Sequence, residues 1–522
     1  MIGSGPAGVS AARALVARGQ RVILFDGGEQ LEEQRQTEVD ALASAPPEQW
    51  SEATLDSIRG ASDVGVGGVP EKLTYGSNFP YARVEQMIPF ENHGSATRPT
   101  LARGGFSTVW GSCVLPYADA DLSSWPISAR DLAPHYRAVT GFMPYSAEAD
   151  DLADEFPLYS DGPQPLQHSR QARSLMHDLQ RARGRLAGQG LRFGWSRLAA
   201  RAHTTASGPG CAYCGLCMYG CPYHLIYDAS TTLAQLIEEG PIEYRRGAIV
   251  ERIEERSGSV TLQVRDIETG ERTAATAERA YVACGPISTT RLLLASLDCY
   301  DRAVTLRDSQ YFLLPWLRSR GTPGAREEAL HTLCQIFLEL RDPRIDAHNI
   351  HLQVYSYNDL YARLFDQLLG PFRGVGKPAA DFLLNRMLLI QGYLHSDASP
   401  SIRATLTQRD KGGVLRLEEQ RNPQTRPAIR RVISRLLKLA PALRAAPLFP
   451  ALNVAPAGRG FHSGGSFPMR VQPGELECDL LGRPYGLERV HLVDSSTFPS
   501  IPSTTITFTV MANAHRIASA EV

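Results

Sequence analysis

Cys211, Cys214, Cys217 and Cys221 stand in the run CAYCGLCMYGCP, at the spacing C-x2-C-x2-C-x3-C-P. Thiolates at this spacing form the ligand pattern of iron–sulfur clusters, in which soft sulfur donors hold iron and sulfide. Such a cluster moves electrons singly. Gly215, Gly220 and Pro222 favour a tight loop around an inorganic core. Two other chemistries use the same residues: four nearby thiolates can hold zinc, and paired thiols can close disulfides. The chain has no second run of this kind. Cys221 therefore joins the same cluster, or the cluster has three protein ligands. Cys113, Cys284, Cys299, Cys334 and Cys478 are scattered singly and suggest no disulfide framework.

A second set of residues is suited to phosphate. Residues 2–8 read IGSGPAG, so Gly3, Gly5 and Gly8 make the pattern G-x-G-x-x-G, with Pro6 and Ala7 inside it. Gly3 permits the turn after a strand, Gly5 lets backbone approach a pyrophosphate, and Gly8 allows close helix packing. Asp26 lies 18 residues beyond Gly8, where a carboxylate reaches a ribose 2′-hydroxyl. In that order the residues predict an adenine dinucleotide site.

These groups need elements to position them. Apolar spacing predicts a helix from about Ala7 to Arg18, followed by a strand Arg21–Asp26. Almost nothing precedes Ile2, so either the true start lies upstream or another segment completes the sheet. Residues 247–264 alternate like a hairpin. Residues 277–296 read as strand, glycine turn and helix. Residues 489–500 hold a strand ending at Asp494, and a closing helix follows. The nucleotide domain is thus discontinuous. Between its parts, helical stretches are expected at 129–136 and 170–189. Strands at 348–359 and 386–397 are expected to offer Gln353, Tyr355, Gln391 and His395 to a pocket, or equally to solvent. The arginine-rich 421–443 stretch reads as a solvated helix, with docking of an acidic partner as a lesser alternative.

At 522 residues the chain is long enough for two or three cores. A net charge of −1 removes the case for nucleic acid or an anionic membrane as bulk partner. No run of 18 apolar residues predicts a membrane span. No secretory signal precedes the glycine loop, so a cytoplasmic location is expected, with export alongside a signal-bearing partner left open.

Taken together, the IGSGPAG loop, RGGFSTVWGSCVLP (103–116), GPISTTRLLLAS (285–296), HSGGSFPM (462–469) and VDSSTFPSIPSTTITFTVMA (493–512) resemble the glucose–methanol–choline (GMC) family of FAD oxidoreductases. The resemblance implies an α/β fold: a discontinuous Rossmann-type FAD-binding domain (1–118, 225–300 and 455–522) with an inserted α+β substrate-binding domain (301–454) of antiparallel sheet plus helices. Residues 119–224 would form a connecting cap that carries the cysteine loop, 211–222.

The resemblance also implies site residues. His462 would take the hydroxyl proton of an alcohol or sugar as hydride passes to flavin N5. The family's second catalytic position, usually His or Asn, falls on Thr505. A threonine hydroxyl can hydrogen-bond substrate but is no base near neutrality. Gly105, Ser107, Val109, Trp110 and Gly111 would line the flavin, with Gly285, Asp494, Thr504 and the backbone of Val250 near the rest of the dinucleotide. No histidine lies in the GGFSTVWG block, so FAD is expected to be non-covalent.

Within the family, the cysteine run is similar to that of bacterial sugar dehydrogenase catalytic subunits with a three-iron cluster, whose ligands match Cys211, Cys217 and Cys221. Cys214 adds a fourth thiolate, so a [4Fe-4S] cluster is expected over [3Fe-4S]. The expected enzyme is a dehydrogenase passing electrons to a cytochrome-like acceptor protein, with a small accessory subunit. The alternatives are a GMC-type alcohol oxidase or natural-product tailoring oxidase that uses oxygen and has a structural Cys loop, and a non-catalytic FAD-binding scaffold.

Overall fold

The computed structural model describes residues 1–60, 71–205, 208–359, 373–407 and 413–521. A parallel sheet organises the first half. Ile242–Arg246 pairs with Val22–Asp26, and Val490–Leu492 pairs with Ala280–Val282. Ile2 joins the two pairs through single bridges to Phe25 and Val282. The short first strand is therefore one residue wide, and its neighbours supply the rest of the sheet.

Side chains alternate across this sheet with period two. Val22, Leu24 and Tyr281 face a core shared with the helices Pro6–Ala17 and Thr507–Ser519. Small residues, Ala11 and Ala14 on one helix and Ala512 and Ala514 on the other, let the two lie close, and Ser10 Oγ donates to the Met511 carbonyl at 2.7 Å. Phe25, Val282 and Leu492 face the opposite way. There they meet the helix Pro286–Ser296 and the antiparallel strands Ala248–Arg256, Ser259–Asp266 and Arg272–Ala277.

The second half is built on an antiparallel sheet in the order Ala445–Pro447, Tyr311–Arg318, Met387–Tyr393, Ile350–Tyr355, Ile336–Leu340, Leu191–Trp195. The last strand comes from the 119–224 region. One face is aliphatic (Trp316, Leu338, Leu352, Ile390) and packs on the helices Arg170–Arg181 and Thr425–Leu443. The latter helix is only partly solvated: Ile429, Val432 and Leu436 are buried, and Arg435 pairs with Asp342 at 3.2 Å. The other face is polar and aromatic. The expected helix over 170–189 is broken at Ala182, and a second short helix runs Arg183–Ala187.

A five-stranded sheet links the halves in the order Ser463–Gly464, Ala303–Asp308, Ser401–Thr407, Val414–Gln420, Phe90–His93. It carries the loop that ends in His462. Asp308 ties that loop down, accepting from Ser463 Oγ at 2.7 Å and from the Gly458 N–H at 2.8 Å. No helix among the described residues is long and apolar enough to cross a membrane.

Candidate functional site

A cavity of about 450 Å³ lies between the glycine loop and the polar face of the antiparallel sheet. Gly3, Gly5, Pro6, Ala7 and Asp26 line one end, and Gly105, Ser107, Val109, Trp110 and Gly111 a flank. Val250, Gly285 and Asp494 also line it. Two of the loop's glycines, Gly3 and Gly8, are sterically required. A Cβ on Gly3 would fall 2.5 Å from the Ala283 carbonyl oxygen, and one on Gly8 2.0 Å from the Gly3 oxygen. Gly8 itself does not line the cavity; it lets the helix sit against the turn. Gly105, at φ +61°, would put a Cβ 3.1 Å from the Gly5 Cα, so two glycine segments meet at one wall.

Polar groups in the cavity are partly committed. Asp26 Oδ2 accepts from Ser4 Oγ at 2.6 Å and Tyr244 OH at 3.1 Å. Burial raises its carboxyl to about 6, against the pull of those donors. Asp494 accepts from Thr289 Oγ1 at 2.6 Å and from the Ser496 N–H at 2.9 Å, so it also pins the turn after its strand. The cradle of glycines, the acid at the end of the second strand and the helix N-terminus at Pro6 together fit the adenosine and pyrophosphate of FAD.

His462 lines the cavity next to the polar sheet. Its ring stacks on Tyr393, centroids 4.8 Å apart and planes 22° apart. Its Nδ1 is buried with no hydrogen-bond partner. Burial, aided by nearby His351, lowers the imidazole to about 3. The ring is therefore neutral at ordinary pH, the form able to receive a proton. Thr505 also lines the cavity, but its Oγ1 accepts the Leu115 N–H at 2.8 Å, a bond that anchors the segment before the closing helix. Thr504 does not line the cavity. It is buried, and its Oγ1 has no partner.

Gln353, Tyr355 and Gln391 face the cavity. His395 does not: its strand ends at Tyr393, and a 3-10 turn carries it away. It instead groups with His348 and Asp397. The two imidazoles stack at 3.5 Å with planes 13° apart, so their in-plane lone pairs cannot converge on one ion. Sequence reasoning missed Tyr311 and Tyr393, which share the polar face, and Lys72. The alternation that selected Gln353 and Tyr355 extends to Tyr393, two residues beyond Gln391, and could have found it. Nothing near Lys72 in the sequence signals a site.

The cysteine loop lies beside this cavity. Cys217 and Cys221 line a smaller cavity, about 150 Å³, that shares Lys72, Ser107 and Trp110 with the first. The loop is wedged in place: Tyr75 OH donates to the Cys221 carbonyl at 2.8 Å, and a Cβ on Gly220 would strike the Tyr75 ring at 2.4 Å. All four thiols are unpaired. They are close enough for charge on one to act on another, which, after burial, helps push Cys211 up to about 12 and Cys221 to about 11. Free thiolates are thus disfavoured here, and ionisation would need an electropositive core. Among the described residues no three of these sulfurs lie within 4.8 Å of one another. A tetrahedral zinc site, with Zn–S bonds near 2.3 Å, would need its sulfurs drawn together to about 3.8 Å. Lys72 Nζ donates to the Trp110 carbonyl at 2.5 Å. Burial lowers its ammonium to about 8, while Cys217 and Cys113 act in the opposite direction.

A solved structure similar over the whole chain is pyridoxine 4-oxidase from Mesorbium loti, with a TM-score of 0.60, 14% identity, and coverage of 99% of this chain and 97% of that one. The chain shares the fold of that protein. The agreement is one of fold. No family model matches the sequence, and no curated protein does. In this fold a mixed α/β body joins a parallel sheet to an antiparallel one, and the large cavity described above lies where the two meet.

Proposed function

We propose that the protein is an FAD-dependent oxidoreductase that oxidises the CH–OH group of a small alcohol, with oxygen as electron acceptor. The observation that carries this reading is the position of His462: a neutral, half-buried imidazole, braced by Tyr393, in the cavity that the glycine loop also lines. FAD, when bound, supplies the hydride acceptor. His462 accepts the hydroxyl proton, and the Gly3–Gly8 turn and Asp26 hold the adenosine end. Thr505, already committed to Leu115, keeps a hydroxyl proton to donate to the substrate oxygen. The full-length likeness to a protein named as an oxidase supports oxygen as acceptor and makes pyridoxine the first alcohol to try. Oxygen uptake and peroxide formation matching alcohol loss would test it; flavin that bleaches with an alcohol anaerobically but does not recolour with oxygen would overturn the oxidase reading.

A second reading is favoured by one observation. Two of the four loop thiols line a cavity contiguous with the main one, with the Lys72 cation between them. In that reading Cys211, Cys214, Cys217 and Cys221 hold a [4Fe-4S] cluster, and an acceptor protein takes the electrons. Iron and acid-labile sulfide per flavin, measured on anaerobically purified protein, separate the two. About four irons per FAD supports the wired dehydrogenase, and none leaves the loop structural.

A further inference from the structure

The polar face of the antiparallel sheet has a fixed hydrogen-bond direction. Glu339 and His351 are direct cross-strand partners, as are Gln353 and Gln391. Glu339, 2% exposed, accepts from Asn349 Nδ2 and from His351 Nδ1, each at 2.5 Å. With its hydrogen on Nδ1, His351 presents a lone pair at Nε2, where Gln353 Nε2 lies at 3.2 Å and donates. The Gln353 carbonyl in turn accepts from Tyr355 OH at 3.0 Å. The same device recurs on the neighbouring strand, where Gln391 Oε1 accepts from Tyr393 OH at 3.4 Å. Both glutamines follow the order Gln-x-Tyr, and in each the tyrosine engages the amide oxygen. With each amide oxygen already accepting one hydrogen bond, the N–H groups remain as donors to the cavity.

We propose that Gln353 and Gln391 select the substrate, acting as paired amide donors that bind an acceptor atom (a carbonyl, ether or ring nitrogen) carried by the alcohol apart from its reacting hydroxyl. This rests on the reading of the cavity as a flavin-dependent alcohol site. Antiparallel partners hold their Cβ atoms about 5 Å apart, so both amides can address one planar group. Both line the same cavity as His462, which places the recognised atom and the reacting carbon in one ligand. A simple alkanol would leave these donors unpaired in a desolvated site, a penalty that rejects it. Glu339 and His351 touch no substrate; they are positioning residues that fix which way the Gln353 amide faces.

The test uses the FAD holoenzyme and two isosteric pairs: benzyl alcohol with pyridine-3-methanol, and cyclohexylmethanol with tetrahydropyran-4-methanol. Anaerobic flavin reduction is followed as a function of concentration. The acceptor-bearing member of at least one pair should half-saturate at a concentration at least about fivefold lower, the worth of one hydrogen bond. Gln391→Met should erase that preference, so that the two members of each pair half-saturate within about twofold of one another. Glu339→Gln should raise half-saturation for the acceptor-bearing alcohol without changing the limiting rate of the apolar one. Equal half-saturation within both pairs, or a preference that survives Gln391→Met in flavin-loaded protein, overturns the proposal. Reduction by both members alike sinks this inference alone, whereas bound flavin that no alcohol reduces sinks the functional reading beneath it.

Discussion

The phenol of Tyr393 lies face to face with the imidazole of His462, 4.8 Å between centroids. The stack leaves His462 little rotational freedom, and the apolar surroundings keep it uncharged. His462→Ala is expected to lower the rate of flavin reduction by alcohol at least about 100-fold, the usual scale for a lost general base, with FAD content unchanged. Flavin reduction in the wild type should be flat between pH 5 and 8, because a depressed pKa leaves the active, neutral ring in place until pH falls towards 3. Stopped-flow reduction across that range checks both; an acid limb near pH 6 would show a different base.

FAD affinity should depend on pH through Asp26. Burial raises this carboxyl to about 6 in the chain without ligand. Ribose hydroxyls donate to the ionised form, so binding favours loss of the proton. Affinity is therefore expected to be constant above about pH 7 and to weaken as pH falls through 6, approaching tenfold per unit. Asp26→Asn should bind more weakly at pH 8 and lose the pH dependence. Fluorescence titration of FAD into deflavinated protein measures this.

Lys72 sits between the large cavity and the cysteine loop. A cation there favours the arrival of negative charge on an acceptor on either side. Lys72→Met should slow re-oxidation of the reduced flavin about tenfold or more and leave its reduction by alcohol within about twofold. In the wild type, re-oxidation should slow as pH rises through about 8, where the ammonium loses its proton. Double-mixing stopped flow separates the two half-reactions.

Asp308 anchors the His462 loop through Ser463 and Gly458. Burial raises its carboxyl to about 7 from an ordinary 3.8. The folded chain holds this proton more tightly than the unfolded one. The resulting stability is full below pH 4 and is lost as pH rises through 7. Asp308→Asn should flatten that part of the change in Tm between pH 5 and 8, as read by thermal unfolding. An unchanged slope would assign the pH dependence to other groups.

The parts of this molecule legible in its sequence are those set by local chemistry. The turn at Gly3–Gly8 was readable because no side chain fits at Gly3 or Gly8. The helix Pro6–Ala17 and the strand Val22–Asp26 were readable because burial on one face imposes a period. Gln353 and Tyr355 were found the same way. Long-range placement was not readable. Ile2 does the work of a strand only because Phe25 and Val282 flank it. His395 shares the polarity of its neighbours but leaves the sheet where the strand ends. Thr505 rather than Thr504 lines the cavity, in a segment anchored by the N–H that Leu115, 390 residues away in the chain, donates to the Thr505 hydroxyl. Lys72 gains its position from folding that brings it to the wall of both cavities. Residue type and spacing fix which groups can do chemistry, since those depend on bonds and sterics within a few residues. Which of them share a cavity, and with what charge, depends on burial and on contacts hundreds of residues apart, and these exist only once the chain has folded.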